Sequence, residues 1–306
     1  MTQQAEPKVS VIIPVYNGQA FVADAINSAL EQTHDAIEVI AVNDGSPDKS
    51  IEVLNQFEDR IKIVDQENMG VARARNSGIE SATGDFIAFL DQDDWWLPSK
   101  IQRQLEVFKL NDNIGLVHTA VTHMDGETGK TLPPLNPNAK PAEMQGDCFE
   151  QLLLGNPLYN SSVVVRSSTI ADVGRCDPNL AGNTVADYEL WLRIATKYQF
   201  GFVETEETCY RMHPEQGMWD RRAMLQAELA VLLNIKNETA WKAEPKLRLR
   251  LGQLYDELAV NLYDFDEFDQ ARHYFKKAFD VCSNTRTGFR WLASKLPPKL
   301  IGMLRN

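Results

Sequence analysis

Short, mostly apolar runs alternate with amphipathic stretches over the first hundred residues. Val9-Ser10-Val11-Ile12-Ile13, Ile37-Glu38-Val39-Ile40-Ala41-Val42, Ile61-Lys62-Ile63-Val64 and Phe86-Ile87-Ala88-Phe89-Leu90 have the length and β-branching of buried strands. Between them Phe21, Val22, Ala25, Ile26, Ala29 and Leu30 recur at helical spacing. Ile51, Val53, Leu54 and Phe57 form a weaker helical pattern, and residues 71–82 a third, rich in Ala and Arg. Strands alternating with helices predict an α/β fold with a parallel sheet and right-handed crossovers.

Parallel strands share their carboxyl ends, so the loops after the four strands gather at one edge. Those loops are Pro14-Val15-Tyr16-Asn17-Gly18, Asn43-Asp44-Gly45-Ser46-Pro47, Glu67-Asn68-Met69-Gly70 and Asp91-Gln92-Asp93-Asp94; the third leads into a helix carrying Arg73 and Asn76. Open α/β sheets bind their ligands at this edge. The set suits a nucleotide. Tyr16 offers a ring to stack on a base, Asp44 an acceptor for a base N–H, and Arg73 a charge to balance a diphosphate. Asp91 and Asp93, two apart, suit a hard cation such as Mg²⁺ or Mn²⁺. Each loop alone reads as ordinary turn chemistry, and the carboxylates alone as an acidic cap on a helix opened by Pro98 and Ser99. Four such loops on one edge outweigh that explanation.

The segment from Val9 to Lys100 resembles the nucleotide-sugar-binding half of the family 2 glycosyltransferases, which have the GT-A fold. The resemblance rests on Val11-Ile12-Ile13-Pro14-Val15-Tyr16-Asn17, Val42-Asn43-Asp44-Gly45-Ser46, Asn68-Met69-Gly70-Val71-Ala72-Arg73-Ala74-Arg75-Asn76 and Phe89-Leu90-Asp91-Gln92-Asp93-Asp94. It implies a Rossmann-like, mostly parallel sheet flanked by helices, with a C-terminal helical extension. It also implies inverting transfer of a sugar from a nucleotide-diphosphate sugar, UDP by the family's habit, to a hydroxyl of a glycan or lipid-linked acceptor. Mn²⁺ or Mg²⁺ would assist. On this resemblance the donor contacts are Pro14, Tyr16, Asn17, Asp44, Gly45, Ser46, Gly70, Arg73, Asn76, Asp91 and Gln92, and Asp93 is a metal ligand.

The likeness continues more loosely to about residue 215. Ala186-Asp187-Tyr188-Glu189-Leu190-Trp191-Leu192-Arg193 matches the region that carries the catalytic base, with Asp187 in the base position and Ala186 where the family usually has Glu. Taken as local structure, Asp187 reads instead as the cap of a helix running to Ala195, and Glu189 stands close by. Tyr210-Arg211-Met212-His213 matches an Arg-x-His element, which makes His213 a metal ligand or a pyrophosphate contact.

Composition narrows the remaining choices. The 306 residues, 43% apolar, suffice for one large α/β domain and an appendage. A net charge of −12 argues against nucleic acid as a partner. Cys148, Cys176, Cys209 and Cys282 have no metal spacing and suggest thiols in a reducing cytosol. Residues 1–8 hold no apolar signal region, and no apolar run reaches the length of a membrane span. These features predict a cytoplasmic protein, and the family resemblance implies a role in cell-envelope polysaccharide synthesis.

The expected boundaries are a glycosyltransferase domain over 1–219, with a donor half at 8–100 and an acceptor half at 101–219, then a helical region over 220–306. Within the acceptor half, residues 115–118 and 161–166 read as strands and residues 132–141 as a Pro- and Asn-rich loop. Met224 to Leu233 and Leu247 to Cys282 read as helices. Leu254, Tyr255, Ala259, Leu262, Phe268, Ala271, Phe275 and Ala278 resemble one tetratricopeptide hairpin, a unit that cannot bury its own face alone. Residues 283–306 contain no acidic side chain and interleave Arg286, Arg290, Lys295, Lys299 and Arg305 with Trp291, Leu292, Leu296 and Ile301. Such a tail suits either peripheral contact with the anionic inner face of the plasma membrane or a docked terminal helix. Two other function classes share parts of this pattern. A nucleotidyltransferase would carry a basic, Gly-rich loop after the first strand, and residues 14–18 have no Lys or Arg. A non-catalytic scaffold acting through the hairpin would not need Asp91, Asp93 and Asp187.

Overall fold

Strand β1 (Val9–Val15) is buried along its whole length. Strands β2 (Ile37–Asp44) and β4 (Phe86–Phe89) flank it in parallel, and β3 (Lys62–Gln66) extends the sheet in parallel beyond β2. A strand covered on both faces has no solvent side, which is why these segments lack polar alternation. The crossovers are α1 (Val22–Leu30), α2 (Ser50–Asn55) and α3 (Val71–Ser81). Helix α1 buries Val22, Ala25, Ile26 and Ala29 against the sheet, and each large aliphatic side chain so buried contributes about 1.5–3 kcal/mol. The computed structural model describes residues 6–180, 185–213, 220–238, 244–282 and 285–294.

Beyond β4 the order of strands changes. A two-residue strand β5 (Trp95–Trp96) precedes α4 (Lys100–Phe108), then β6 (Ile114–Asp125) and its short antiparallel partner β7 (Thr131–Leu132). After α5 (Phe149–Leu152) come β8 (Val164–Arg166), α6 (Ser167–Val173), α7 (Ala186–Ala195) and β9 (Gln199–Met212). The sheet runs β3-β2-β1-β4-β8-β6-β9-β5. Strand β8 is antiparallel to both β4 and β6, and β9 is parallel to β6. Hence β6 and β9 end on the same edge as β1 to β4. Residues 161–166 were expected to be one strand, but only the last three are. Asn160–Ser162 form a 3₁₀ turn, because their side chains serve the carboxylate loop after β4.

The chain divides into two compact units. One comprises residues 1–149, 157–178 and 186–216, the other 150–156, 179–185 and 217–306. The second unit contains α8 (Arg221–Glu238), α9 (Glu244–Asp264), α10 (Phe268–Val281) and α11 (Thr285–Ala293). The stretch read as a helical hairpin from 247 to 282 is one, turned at residues 265–267 with Asp266 at φ +62°. Leu254, Leu258, Ala259 and Leu262 of α9 are buried, as are Ala271, Phe275 and Ala278 of α10. Helix α8 packs on α9 and α11 on α10, so the hairpin finds neighbours within its own unit. Arg250 of α9 donates to Glu228 of α8 at 2.8 and 2.9 Å. Arg290, one of the basic residues of the terminal segment, pairs with Asp256 of α9. The rest of that segment, residues 295–306, lies outside the described residues. Among the described residues no helix is long and apolar enough to cross a membrane.

One buried histidine links this fold to pH. His118 on β6 is fully buried, its Nε2 2.8 Å from the carbonyl oxygen of Met144 and its ring 4.9 Å from that of Phe202. Burial pushes its pKa down from 6.5 to about 4, against its backbone hydrogen bonds. The unfolded chain takes up this proton near pH 6.5 and the folded chain only near pH 4. Stability present above pH 6.5 is therefore lost as pH falls through that window, by up to about 3 kcal/mol. Urea unfolding at pH 7.5 and 4.5 should show a smaller difference for His118→Gln than for wild type. Equal pH dependence in the two proteins would contradict this account.

Candidate active site

Strands β1, β2 and β3 follow one another in one direction, and β4 then takes the other side of β1. This reversal creates a crevice at the carboxyl ends of β1 and β4, where open sheets hold their ligands. The loops there are tied to one another. The Gln92 amide accepts from the Tyr16 backbone N–H and donates to the Tyr16 carbonyl, both at 2.9 Å. The Asn17 N–H donates to Ser46 Oγ at 3.2 Å, and Ser46 Oγ lies 3.4 Å from the Val15 carbonyl oxygen. Tyr16 is 48% exposed. Pro14 is buried within β1.

Asp44, at the end of β2, is buried and organises the third loop. Its Oδ1 accepts from Gln66 Nε2 at 2.7 Å and the Met69 N–H at 2.9 Å, and its Oδ2 from the Gly70 N–H at 2.8 Å. Gly45 at φ +65° and Gly70 at φ +87° shape the two turns that make this possible. A Cβ on Gly45 would stand 2.6 Å from the Asn68 nitrogen, so an L side chain is excluded both by backbone conformation and by space. Two residues assigned to the donor have other surroundings. Asn76 exchanges hydrogen bonds with the Cys176 backbone, at 2.8 Å to its carbonyl and 3.1 Å from its N–H. Arg73 is exposed and makes no ion pair among the described residues.

The carboxylates after β4 are held individually. Asp91 Oδ1 accepts from Arg75 at 3.0 Å and from Asn160 Nδ2 at 2.9 Å, and its N–H donates to Ser161 Oγ at 3.0 Å. Asp93 Oδ2 lies 3.0 Å from His213 Nε2, and the Asp93 carbonyl accepts from Arg211 Nε at 2.8 Å. Asp94 accepts from Ser161 Oγ and, at 3.0 Å, from the Arg211 N–H. Burial raises the pKa of Asp93, with the Asp91 charge adding to it and His213 opposing it. Burial, then the charges of Asp93 and Asp91, hold Asp94 well above the ordinary carboxylate range.

Arg75 is the group that joins the two halves of the site. It is buried, bonded to Asp91 and close enough to Asp187 for a strong charge interaction. Asp187 lies one residue inside α7, in its first turn, so it is not the N-cap that local structure suggested. Burial raises its pKa, and Arg75 acts against that rise. Glu189 is committed to Arg193, at 2.7 Å from its Nη2.

The structure thus brings Tyr16, Asn17, Ser46, Asp91, Gln92, Asp93, His213 and Asp187 around one crevice, and assigns Asn76 to a structural bond. Sequence reasoning missed Arg75, Asn160, Ser161 and Arg211 as members of the site. The polar run Asn160-Ser161-Ser162 directly before the apolar Val163-Val164-Val165 was the available signal. Among the described residues no three His, Cys, Asp or Glu side chains converge on one point as a metal cage. Mg²⁺ and Mn²⁺ bound with a diphosphate need only one or two protein ligands. Adjacent ligand atoms of an octahedral ion of this size stand about 3 Å apart, which is the Asp93–His213 separation of 3.0 Å. The pair fits such an ion.

Fold and site together have the form of a GT-A glycosyltransferase. Residues 10–164, just over half of the chain, match the model of glycosyl transferase family 2, and the chain belongs to that family. An uncharacterized glycosyltransferase of Rickettsia felis is 32% identical over 213 residues, covering 69% of this chain and 35% of that protein. The chain therefore spans about a third of that relative's length. Among solved structures, residues 1–349 of S. aureus TarS in complex with UDP-GlcNAc superpose with a TM-score of 0.70 at 14% identity, over 94% of this chain and 84% of that one. The mannosyltransferase PcManGT of Pyrobaculum calidifontis, in complex with GDP-Man and Mn²⁺, gives 0.65 at 15% identity, over 93% and 78%.

The Asn76 bonds separate a structural from a ligand-binding role. Asn76→Ala leaves two backbone groups of Cys176 without partners, which costs about 1–3 kcal/mol. Melting temperature should fall, while calorimetric affinity for UDP stays within about threefold of wild type, a difference under 1 kcal/mol. Lost affinity at unchanged melting temperature would return Asn76 to the ligand.

Proposed function

We propose that this chain is an inverting glycosyltransferase that moves a sugar from a nucleotide-diphosphate sugar to a hydroxyl of a glycan or lipid-linked acceptor. The observation that carries the reading is the buried Arg75 between the carboxylates of Asp91 and Asp187. A buried guanidinium bonded to Asp91 and within charge influence of Asp187 supports a site with one acid for the donor and one for the acceptor. Family membership and the nucleotide sugars held by the two structural neighbours support the donor class. UDP is the nucleotide we favour, on the family's habit.

In this reading the exposed Tyr16 ring stacks on the base, Asp44 shapes the pocket floor, and the backbone of residues 44–46 and 70 lines the ribose and phosphate path. Asp93 and His213 hold the divalent cation, with Asp91 at the ribose edge. A bound Mg²⁺ or Mn²⁺ supplies positive charge that offsets the diphosphate as it leaves. Asp187 takes the proton from the acceptor hydroxyl while that oxygen attacks the anomeric carbon from the face opposite the leaving group. The C–O bond to the acceptor forms as the bond to the diphosphate breaks, so configuration inverts and no covalent enzyme intermediate is needed. Arg75 acts against the rise in pKa that burial imposes on Asp187. Work at the inner face of a membrane, in polysaccharide or envelope synthesis, fits the acceptor class.

Asp187→Asn should bind UDP as wild type does and lower kcat by about a hundredfold or more. The same measurements across pH should show wild-type kcat/KM falling on the acid side, above the ordinary pKa of 3.8, because the base must be unprotonated and its pKa is raised. Reduced stability with normal turnover would remove Asp187 from the chemistry.

Asp93→Asn tests the cation. Isothermal titration of UDP with and without Mn²⁺ should show metal-dependent affinity in wild type and little in the variant, with turnover abolished. Wild-type turnover in Asp93→Asn would sink the assignment. A panel of UDP-, GDP- and dTDP-sugars, scored by slow metal-dependent hydrolysis, identifies the donor.

A further inference from the structure

The donor reading uses the loops after β1, β2, β3 and β4. Strands β6 and β9 end on the same edge, on the far side of β4, and carry a cluster that the reading leaves unused. His123 and Tyr210 are direct neighbours in the β6–β9 register. Tyr159 joins them from the segment before the 3₁₀ turn, with its hydroxyl 2.6 Å from His123 Nε2. The Tyr159 and Tyr210 ring centroids are 4.8 Å apart, and those of His123 and Tyr159 are 5.1 Å apart at an interplanar angle of 78°. His123 is buried, while both tyrosines keep part of their surface open.

The cluster adjoins the acids rather than the general core. Both phenols feel the charge of Asp94, and Tyr210 also those of Asp93 and Asp91. Asn160, next to Tyr159 in the chain, donates to Asp91. Rigid aromatic rings therefore stand beside the acid loop. A pyranose has the complementary surface: one face of axial C–H groups that packs on π-systems, and a rim of hydroxyls that hydrogen-bond to polar neighbours. The position matters too. An acceptor that attacks opposite the diphosphate must approach from the side of β4 away from the nucleotide loops, which is the β8–β6–β9 side.

We infer that Tyr159 and Tyr210, braced by His123, form a stacking subsite for a pyranose ring of the acceptor. The inference rests on the glycosyltransferase reading and narrows its acceptor to a molecule presenting a sugar ring beside the reacting hydroxyl. Tyr159 and Tyr210 are then specificity-determining residues. Their rings are fixed before binding, so little side-chain freedom is lost when the sugar lands.

Saturation-transfer NMR on the full chain with UDP and Mn²⁺ tests this. The probes are methyl glucopyranoside, methyl mannopyranoside and methyl N-acetylglucosaminide, with ribitol as an acyclic polyol control. At least one pyranoside should bind and ribitol should not. Tyr210→Leu should weaken that pyranoside about tenfold, the loss expected for one aromatic stack, and Tyr210→Phe should bind it as wild type does. Tyr159→Leu provides the same test if Tyr210→Leu does not fold. Affinities for UDP and UDP-GlcNAc should stay unchanged in the folded variants. Three results would overturn the inference: ribitol binding as well as every pyranoside, equal pyranoside binding by Tyr210→Leu, or loss of UDP-GlcNAc but not UDP affinity, which would give the rings to the donor sugar. UDP binding without any pyranoside binding defeats the subsite and spares the donor reading. Absence of UDP binding defeats the donor reading itself.

Discussion

Three carboxylates within four residues, at the end of a strand with no solvent face, are an electrostatic burden. At the separations in this loop like charges repel by several kcal/mol when water is excluded. The remainder of the site is arranged around that constraint. Asp91 is met by Arg75 and Asn160, Asp93 by His213, and Asp94 by Ser161 and the Arg211 backbone. The partners come from three places, so the acids tie together α3, the 3₁₀ turn and the end of β9. The divalent cation proposed for this site would add to the same neutralisation, because carboxylates that repel one another attract positive charge.

The sheet is the part of the molecule that was readable in advance. Residues 9–13, 37–42 and 86–90 are mostly apolar, broken only by Ser10 and Glu38, because both faces of the central strands are covered. The crossover helices followed from Val22, Ala25, Ile26 and Ala29 for the same reason. The acceptor side was less legible. Strand β6 begins where expected but runs on to Asp125, since it pairs with β9 along its whole length and its second half is only partly buried. Residues 160–162 broke the strand pattern because tertiary hydrogen bonds to the acids outweigh local extended preference.

Legibility within the site followed a similar rule. Residues adjacent in sequence to a strand end, such as Tyr16, Asp44 and Asp93, were found by counting from the strand. Arg75 and Arg211 were not, because nothing local marks an arginine as buried; its partners lie 16 and more than 100 positions away. Asn76 and Gln92 show the opposite case. Their motif positions are those of donor contacts, yet their amides fasten backbone, Cys176 in one case and Tyr16 in the other. A motif preserves a loop's geometry as well as its ligand, and only coordinates separate the two.

Arg211 illustrates a consequence for how the protein comes into being. It binds Asp24, the Asp93 carbonyl and the face of Trp95, groups 187, 118 and 116 residues earlier in the chain. Contacts of such sequence separation form late, after most of the loop-closure entropy has been spent. The stretch 10–164 that matches the family model contains neither Arg211 nor His213 nor Asp187. During synthesis Arg75, Asn160 and Ser161 are therefore made before Arg211 and His213, so Asp91 can be paired while Asp93 still waits for the end of the last strand.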